Sequence, residues 1–160
     1  MDPTLEVDPK DFPGIQEAFA FVLPSYQMLL SRYEAADSRL NSLLTTAFAV
    51  MSAGPVVGRA VNPDISVDSW FWAALAAFAL TIGVGLRARL RGAVVLPDPM
   101  TFYNEAAHET EWEFKRIALH YAGKHFAKNA DTIEQKHRMA AVVTGLIAVQ
   151  AVCFGLWMAF

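Results

Sequence analysis

The stretch that decides the fold is Ser69-Trp-Phe-Trp-Ala-Ala-Leu-Ala-Ala-Phe-Ala-Leu-Thr-Ile-Gly-Val-Gly-Leu86, followed at once by Arg87-Ala-Arg-Leu-Arg91. Eighteen residues pass without Asp, Glu, Lys or Arg, and then three arginines come within five residues. A helix of roughly 17–25 apolar residues crosses a hydrocarbon core about 30 Å thick. Two further windows have the same character. Leu40–Gly58 holds 19 residues and Met139–Phe160 holds 22, again with no charged side chain. A soluble chain of 160 residues that spent three such windows on its interior would lack the polar surface to stay in water. The expected fold is therefore an all-α membrane protein with three transmembrane helices, an N-terminal cytoplasmic helix and a long cytoplasmic helix between spans two and three.

Composition narrows the function. Hydrophobic residues make up 54% and charged residues 18%, which excludes intrinsic disorder. Thirteen Lys and Arg against 16 Asp and Glu give a net charge of −3, without the basic excess that nucleic acid requires. The single cysteine, Cys153, excludes an intrachain disulfide and a cysteine zinc site. No secretory leader is expected, because the first residues are acidic and the first apolar window begins only at residue 40.

Lys and Arg set the orientation. Twelve of the 13 fall in 1–39 or 87–138, and only Arg59 lies between spans one and two. By the positive-inside rule the N-terminus is cytoplasmic and the C-terminus is outside. Trp70, Phe71 and Trp72 start span two and Trp157 and Phe160 end span three, marking one interface. The segments are 1–39, an N-terminal cytoplasmic segment with an amphipathic helix; 40–60, span one; 69–86, span two; 87–138, a cytoplasmic helical segment; and 139–160, span three.

Local breakers subdivide these segments. Pro24 is expected to separate helices over 14–23 and 25–39, with Ser25 as an N-cap. Gly54-Pro55 is expected to kink or end span one, and Asn62-Pro-Asp64 reads as a turn. Thr101 is expected to open the cytoplasmic helix, with a stripe of Tyr103, Thr110 and Ile117 beside Ala107, Phe114 and Tyr121. Gly123 or Lys128–Ala130 is expected to break it, and Asp131-x-x-Glu134 reads as a capping box for the last helix.

The chemistry-bearing residues are few. Glu105-x-x-His108 and Glu134-x-x-His137 have the spacing found in di-iron bundles. They lie too far apart in one chain to close a site, so no metal, no cofactor and no catalytic residue is expected. No phosphate loop or nucleophile–base pair is visible, and the chain is not expected to be an enzyme. Span one carries a polar stripe of Ser38, Asn41, Thr45, Ala49 and Ser52. Together with Gln150 in span three it is expected to pack against helices or to line a water-filled path in a homo-oligomer.

Two short segments carry a resemblance. Ala36-Asp-Ser-Arg-Leu-Asn-Ser-Leu-Leu44 resembles the Ala-Asp-x-Lys-Ala-x-x-Leu-Leu segment of the Pycsar transmembrane effectors. Asn129-Ala-Asp-Thr-Ile-Glu-Gln-Lys136 is similar to the Asn…Lys segment before their last span. SLATT-type effectors share the layout, and Arg39 stands where the pattern has Lys. The resemblance implies a bacterial anti-phage effector in the cell inner membrane. It would be activated by a cyclic pyrimidine nucleotide, cyclic CMP or cyclic UMP, made by a partner pyrimidine nucleotide cyclase. It would impair membrane integrity and so cause abortive infection. Carried over residue by residue, Asp37, Arg39, Asn129 and Lys136 become the ligand-binding or gating candidates. The alternative is a small structural or accessory subunit of a membrane complex, using the stripe on the helix from Thr101 for docking.

Overall fold

A computed structural model describes residues 13–90, 92, 94–95, 100, 104 and 108–159. Three long helices account for nearly all of them: α1 (Ile15–Val61), α2 (Ser69–Leu90) and α3 (Glu111–Ala159). All three are long and apolar enough to cross a membrane. At 1.5 Å per residue, the 22 residues of α2 span about 33 Å, one bilayer core. With 47 and 49 residues, α1 and α3 are each more than twice that length.

The helix ends have local causes. Asp68 caps α2: its carboxylate Oδ1 accepts the backbone N–H of Trp70 at 2.9 Å and of Phe71 at 3.1 Å. Beyond Leu90, Gly92 takes φ of 80°, the left-handed conformation that stops a helix without a Cβ penalty. Thr110 caps α3, its hydroxyl accepting the Glu113 N–H at 3.3 Å. Asn62 makes the turn expected of it, its Oδ1 accepting the Asp64 N–H at 3.2 Å.

The helix interiors differ from the reading of the breakers. α1 runs unbroken through Pro24 and through Gly54-Pro55 to Val61. A proline removes one backbone donor from a helix, at a cost of about 3 kcal/mol. Packing along the rest of a 47-residue helix exceeds that. Ser25 does not start a new helix; its hydroxyl donates back to the Phe21 carbonyl at 2.9 Å. α3 likewise passes Gly123 and 128–130 without a break. Thr132, inside the supposed capping box at 131–134, donates to the Lys128 carbonyl one turn earlier. Met100 and Asn104 are helical, a turn follows at His108, and α3 starts at Glu111. Thr101, Tyr103, Glu105 and Ala107 lie outside the described residues, as does Phe160.

The chain forms two units. The first joins residues 1–33 with 93–132. There the early part of α1 pairs with the early part of α3. Lys115 Nζ donates to Gln16 Oε1 at 2.5 Å and to Glu111, and the Tyr26 hydroxyl donates to the Ala122 carbonyl at 2.9 Å. The Tyr26 ring meets Phe126 edge-on at 6.1 Å. Burial pushes the Tyr26 phenol above its ordinary value. The Lys115 hydrogen bond, with the Lys115 charge, holds the Glu111 carboxyl below its own.

The second unit joins 34–92 with 133–160 and is a three-helix bundle. α1 and α3 lie parallel: Asp37 meets Lys136, Ala47 meets Gln150, Gly54 meets Phe154 and Gly58 meets Trp157. α2 runs the other way, with Gly85 against Leu44, and Phe78 against Phe48 at 5.1 Å. Its interior is built of small residues: Ala47, Ala74, Ala77, Thr81, Gly85, Ala88 and Ala140. Many large apolar side chains point outward, among them Phe48, Val57, Trp72, Leu80, Leu86, Val142 and Val152, while Leu40, Val143, Phe154 and Trp157 are buried. Exposed apolar area costs about 25 cal/mol per Å² in water and nothing in hydrocarbon. This inside-out distribution is that of a multi-pass membrane protein, whose helices approach closely over small residues.

The aromatic cluster expected at one interface does assemble, although Trp157 is buried and not at the surface. Phe71 lies 5.2 Å from Trp157 and 6.1 Å from Phe154, and the Trp157 indole N–H donates to the Ser66 carbonyl at 2.8 Å. Gly58 is the position that lets Trp157 in, since a Cβ there would run into its ring. Gly58→Ala is expected to lower stability by about 1–3 kcal/mol through overpacking, despite a gain in helix propensity. Gly83→Ala, with nothing within 4 Å, is the control and is expected to raise it by roughly 0.5–1 kcal/mol. Thermal unfolding of the full chain in detergent reads both.

Candidate functional site

Among the described residues, the second unit holds a buried ion pair between Lys136 and Asp37. Lys136 Nζ lies 2.5 Å from Asp37 Oδ1, with the lysine side chain 2% exposed and the aspartate 33%. Lys136 is the largest fully buried side chain among those described. The reason lies in the register of α1 and α3. Asp37 stands three residues before the apolar window of α1, and Lys136 three residues before that of α3. Parallel helices in register put these two positions at one level, at the mouth of the apolar bundle. A lone ammonium buried there would cost several kcal/mol, and a carboxylate in hydrogen-bonding contact offsets much of that.

Just inside the pair, Leu40, Ala88 and Ala140 pack together, one residue from each helix. Arg39 precedes Leu40, and Arg87 and Arg89 flank Ala88. All three arginines are exposed, without an ion-pair partner among the described residues. Arg138 pairs with Glu134 of its own helix, which takes one half of the second Glu-x-x-His pair into a surface ion pair. Among the described residues no three His, Cys, Asp or Glu side chains converge.

Asn129 belongs to the other unit. It is 1% exposed and acts as a clamp on the backbone of Val95. Its Oδ1 accepts the Val95 N–H and its Nδ2 donates to the Val95 carbonyl, both at 3.0 Å. One amide thus satisfies both main-chain groups of a residue in the connection between α2 and α3. Of the four candidates carried over by resemblance, two therefore meet directly, Arg39 sits two residues from the pair, and Asn129 holds a loop.

The pore or packing candidates divide. Gln150 is fully buried, its Nε2 donating to the Ala47 carbonyl at 3.5 Å, while its Oε1 has no partner among the described residues. Thr81, equally buried, bonds within its own helix to Ala77. Asn41, Thr45 and Ser52 are exposed and face no other helix of this chain, contrary to a packing role inside it. The hydroxyls of Ser42, Thr45 and Thr46 turn back onto carbonyls one turn earlier, which satisfies them without a partner helix.

No family model, curated protein or solved structure matches the chain. The ion pair itself was within reach of the sequence: Asp37 and Lys136 each stand three residues before an apolar window. The missing information was that α1 and α3 pair directly. The Asn129–Val95 clamp had no sequence signal.

The pair predicts an asymmetric mutant cycle. Asp37→Ala takes a contacting carboxylate away from a buried ammonium and is expected to be the costlier change, up to about 3–5 kcal/mol. Lys136→Met leaves a carboxylate that still reaches water and is expected to cost clearly less. The double variant is expected to lie near Lys136→Met, well above Asp37→Ala. Denaturant unfolding of the three variants in detergent checks the order.

Proposed function

We propose that this chain is a membrane effector of a bacterial anti-phage system. A cyclic pyrimidine nucleotide, cyclic CMP or cyclic UMP from a partner cyclase, activates it, and it then impairs the inner membrane. The observation that supports this reading is a coincidence of two segments. The stretches at 36–44 and 129–136 that resemble the Pycsar effectors are distant in sequence, yet each contributes one half of the buried pair Asp37–Lys136. That pair sits where the apolar bundle begins, and beside it Arg39 is exposed and open to an anion.

In this reading the N-terminus is cytoplasmic. One end of the bundle carries Arg39, Arg87, Arg89, Lys136 and Arg138, whereas the other has Arg59 beside Asp64 and Asp68. The nucleotide would arrive at the basic end. Three helices do not enclose a pore, so membrane damage would need several copies. The outward stripe of Asn41, Thr45 and Ser52 is the face on which they would meet, since polar side chains in hydrocarbon gain about 0.6–2 kcal/mol from interhelical hydrogen bonds.

Topology is checked by reporter fusions at Phe160 and within 92–130. The expected result is a cytoplasmic signal from 92–130 and a periplasmic one from Phe160; a cytoplasmic signal at Phe160 would reverse the assignment.

The activating role is checked by phage protection with the cyclase co-expressed. Arg39→Ala is expected to weaken ligand binding roughly 10- to 150-fold, the value of one charge-assisted contact. Arg39→Lys is expected to keep most protection, because it keeps the charge. Full protection by Arg39→Ala at normal membrane level would refute the role.

A further inference from the structure

Within the second unit, α1 turns one face to the bundle and leaves the opposite face open. Leu40, Ala47 and Gly58 meet the other helices. Ala35, Ser38, Ser42, Thr45, Ala49 and Ser52, spaced alternately three and four residues apart, are all exposed. That spacing is the 3.5-residue repeat of a helix seam. All six side chains are small, and the hydroxyls of Ser42 and Thr45 donate back to their own helix. Small side chains let a second helix come close in lipid, but they do not say which helix.

The residues flanking the seam do say which. In a parallel pair, a residue just before the seam on one helix lies beside the residue five positions further along on the other. α1 offers three such combinations with itself: Glu34 with Arg39, Asn41 with Thr46, and Phe48 with Ala53. The first joins opposite charges, the second an amide and a hydroxyl, the third a large side chain and a small one. All six residues are exposed. Glu34 and Arg39 have no ion-pair partner among the described residues. The Thr46 hydroxyl donates to the Ser42 carbonyl at 2.9 Å, which leaves its oxygen able to accept from an amide. Copies inserted by one route share one orientation, so two of them in one membrane meet parallel. A two-fold pair then uses each combination twice.

We propose that the open face of α1 is the contact with a second copy of this chain, parallel and in register, with Glu34 of each copy paired to Arg39 of the other. The inference rests on the outward face in the function proposed above and gives it a partner, a direction and a register; it needs neither nucleotide nor phage. A guanidinium has five donors, so Arg39 can hold Glu34 and still present donors to an anion.

The test is oxidative cross-linking of the full chain in membranes, with Cys153→Ser and one new cysteine at a time. Ser38→Cys, Thr45→Cys and Ser52→Cys are expected to give disulfide-linked dimers. Leu80→Cys on α2 and Ala148→Cys on α3, equally exposed positions, are expected to give several-fold less. On the Thr45→Cys chain, Glu34→Arg alone or Arg39→Glu alone is expected to lower the dimerisation constant roughly 2- to 30-fold, the value of two exposed ion pairs. Both changes in one chain are expected to restore it. Two differently tagged chains, one with Glu34→Arg and one with Arg39→Glu, are expected to cross-link with each other and not with themselves. Should a charge variant fail to insert, Ala49→Phe is read in its place; it fills the seam and is expected to abolish cross-linking at Thr45→Cys. Cross-linking strongest at Leu80→Cys or Ala148→Cys, or seam cross-links indifferent to these changes, overturns the proposal. Absence of the pair with phage protection intact overturns this inference alone; a pair without protection removes the effector reading and keeps the pair.

Discussion

A lysine with 2% of its side chain exposed has to be neutralised where it stands. Its ammonium cannot reach water, and the Asp37 carboxylate is in direct contact with it. This single requirement fixes Asp37 at the same level on α1 and thereby the register of α1 against α3. From that register follow the other meetings in the unit: Gln150 with the Ala47 carbonyl, Phe154 with Gly54, Trp157 with Gly58. A slip of one turn would separate Lys136 from Asp37 and Trp157 from Gly58. Charge at one end and shape at the other select the same alignment.

The two ends therefore differ in kind. At the aromatic end, contacts are apolar and close, and they are sealed by the Trp157 indole donating to Ser66. At the basic end, the closing contact is electrostatic and one partner is a third exposed. An ion pair at a water boundary can be replaced by another anion; a tryptophan packed on glycine cannot.

Much of the fold was legible in the sequence because hydrocarbon is an undemanding solvent to read. Three charge-free windows gave three long apolar helices, and Asp68 and Gly92 bound α2 close to where its apolar run begins and ends. The breakers misled. Pro24, Pro55, Gly123 and the segment 128–130 all lie inside continuous helix. A local propensity cost of about 1–3 kcal/mol is small beside the packing of a helix of nearly 50 residues. The site was legible in part. Asp37 and Lys136 could be named singly, but their meeting is a property of helix pairing, which a sequence does not state. Asn129 could not have been assigned its role, because Val95 offers only backbone.

The outward polar stripe is what the bundle does not resolve by itself. Within one chain Asn41 faces no helix, while the hydroxyls around it are satisfied by carbonyls of their own helix. Asn41 lies four residues beyond Asp37 on α1, one helical turn from the ion pair, and is exposed. An exposed amide at this depth is a polar point on the lipid-facing surface of the bundle.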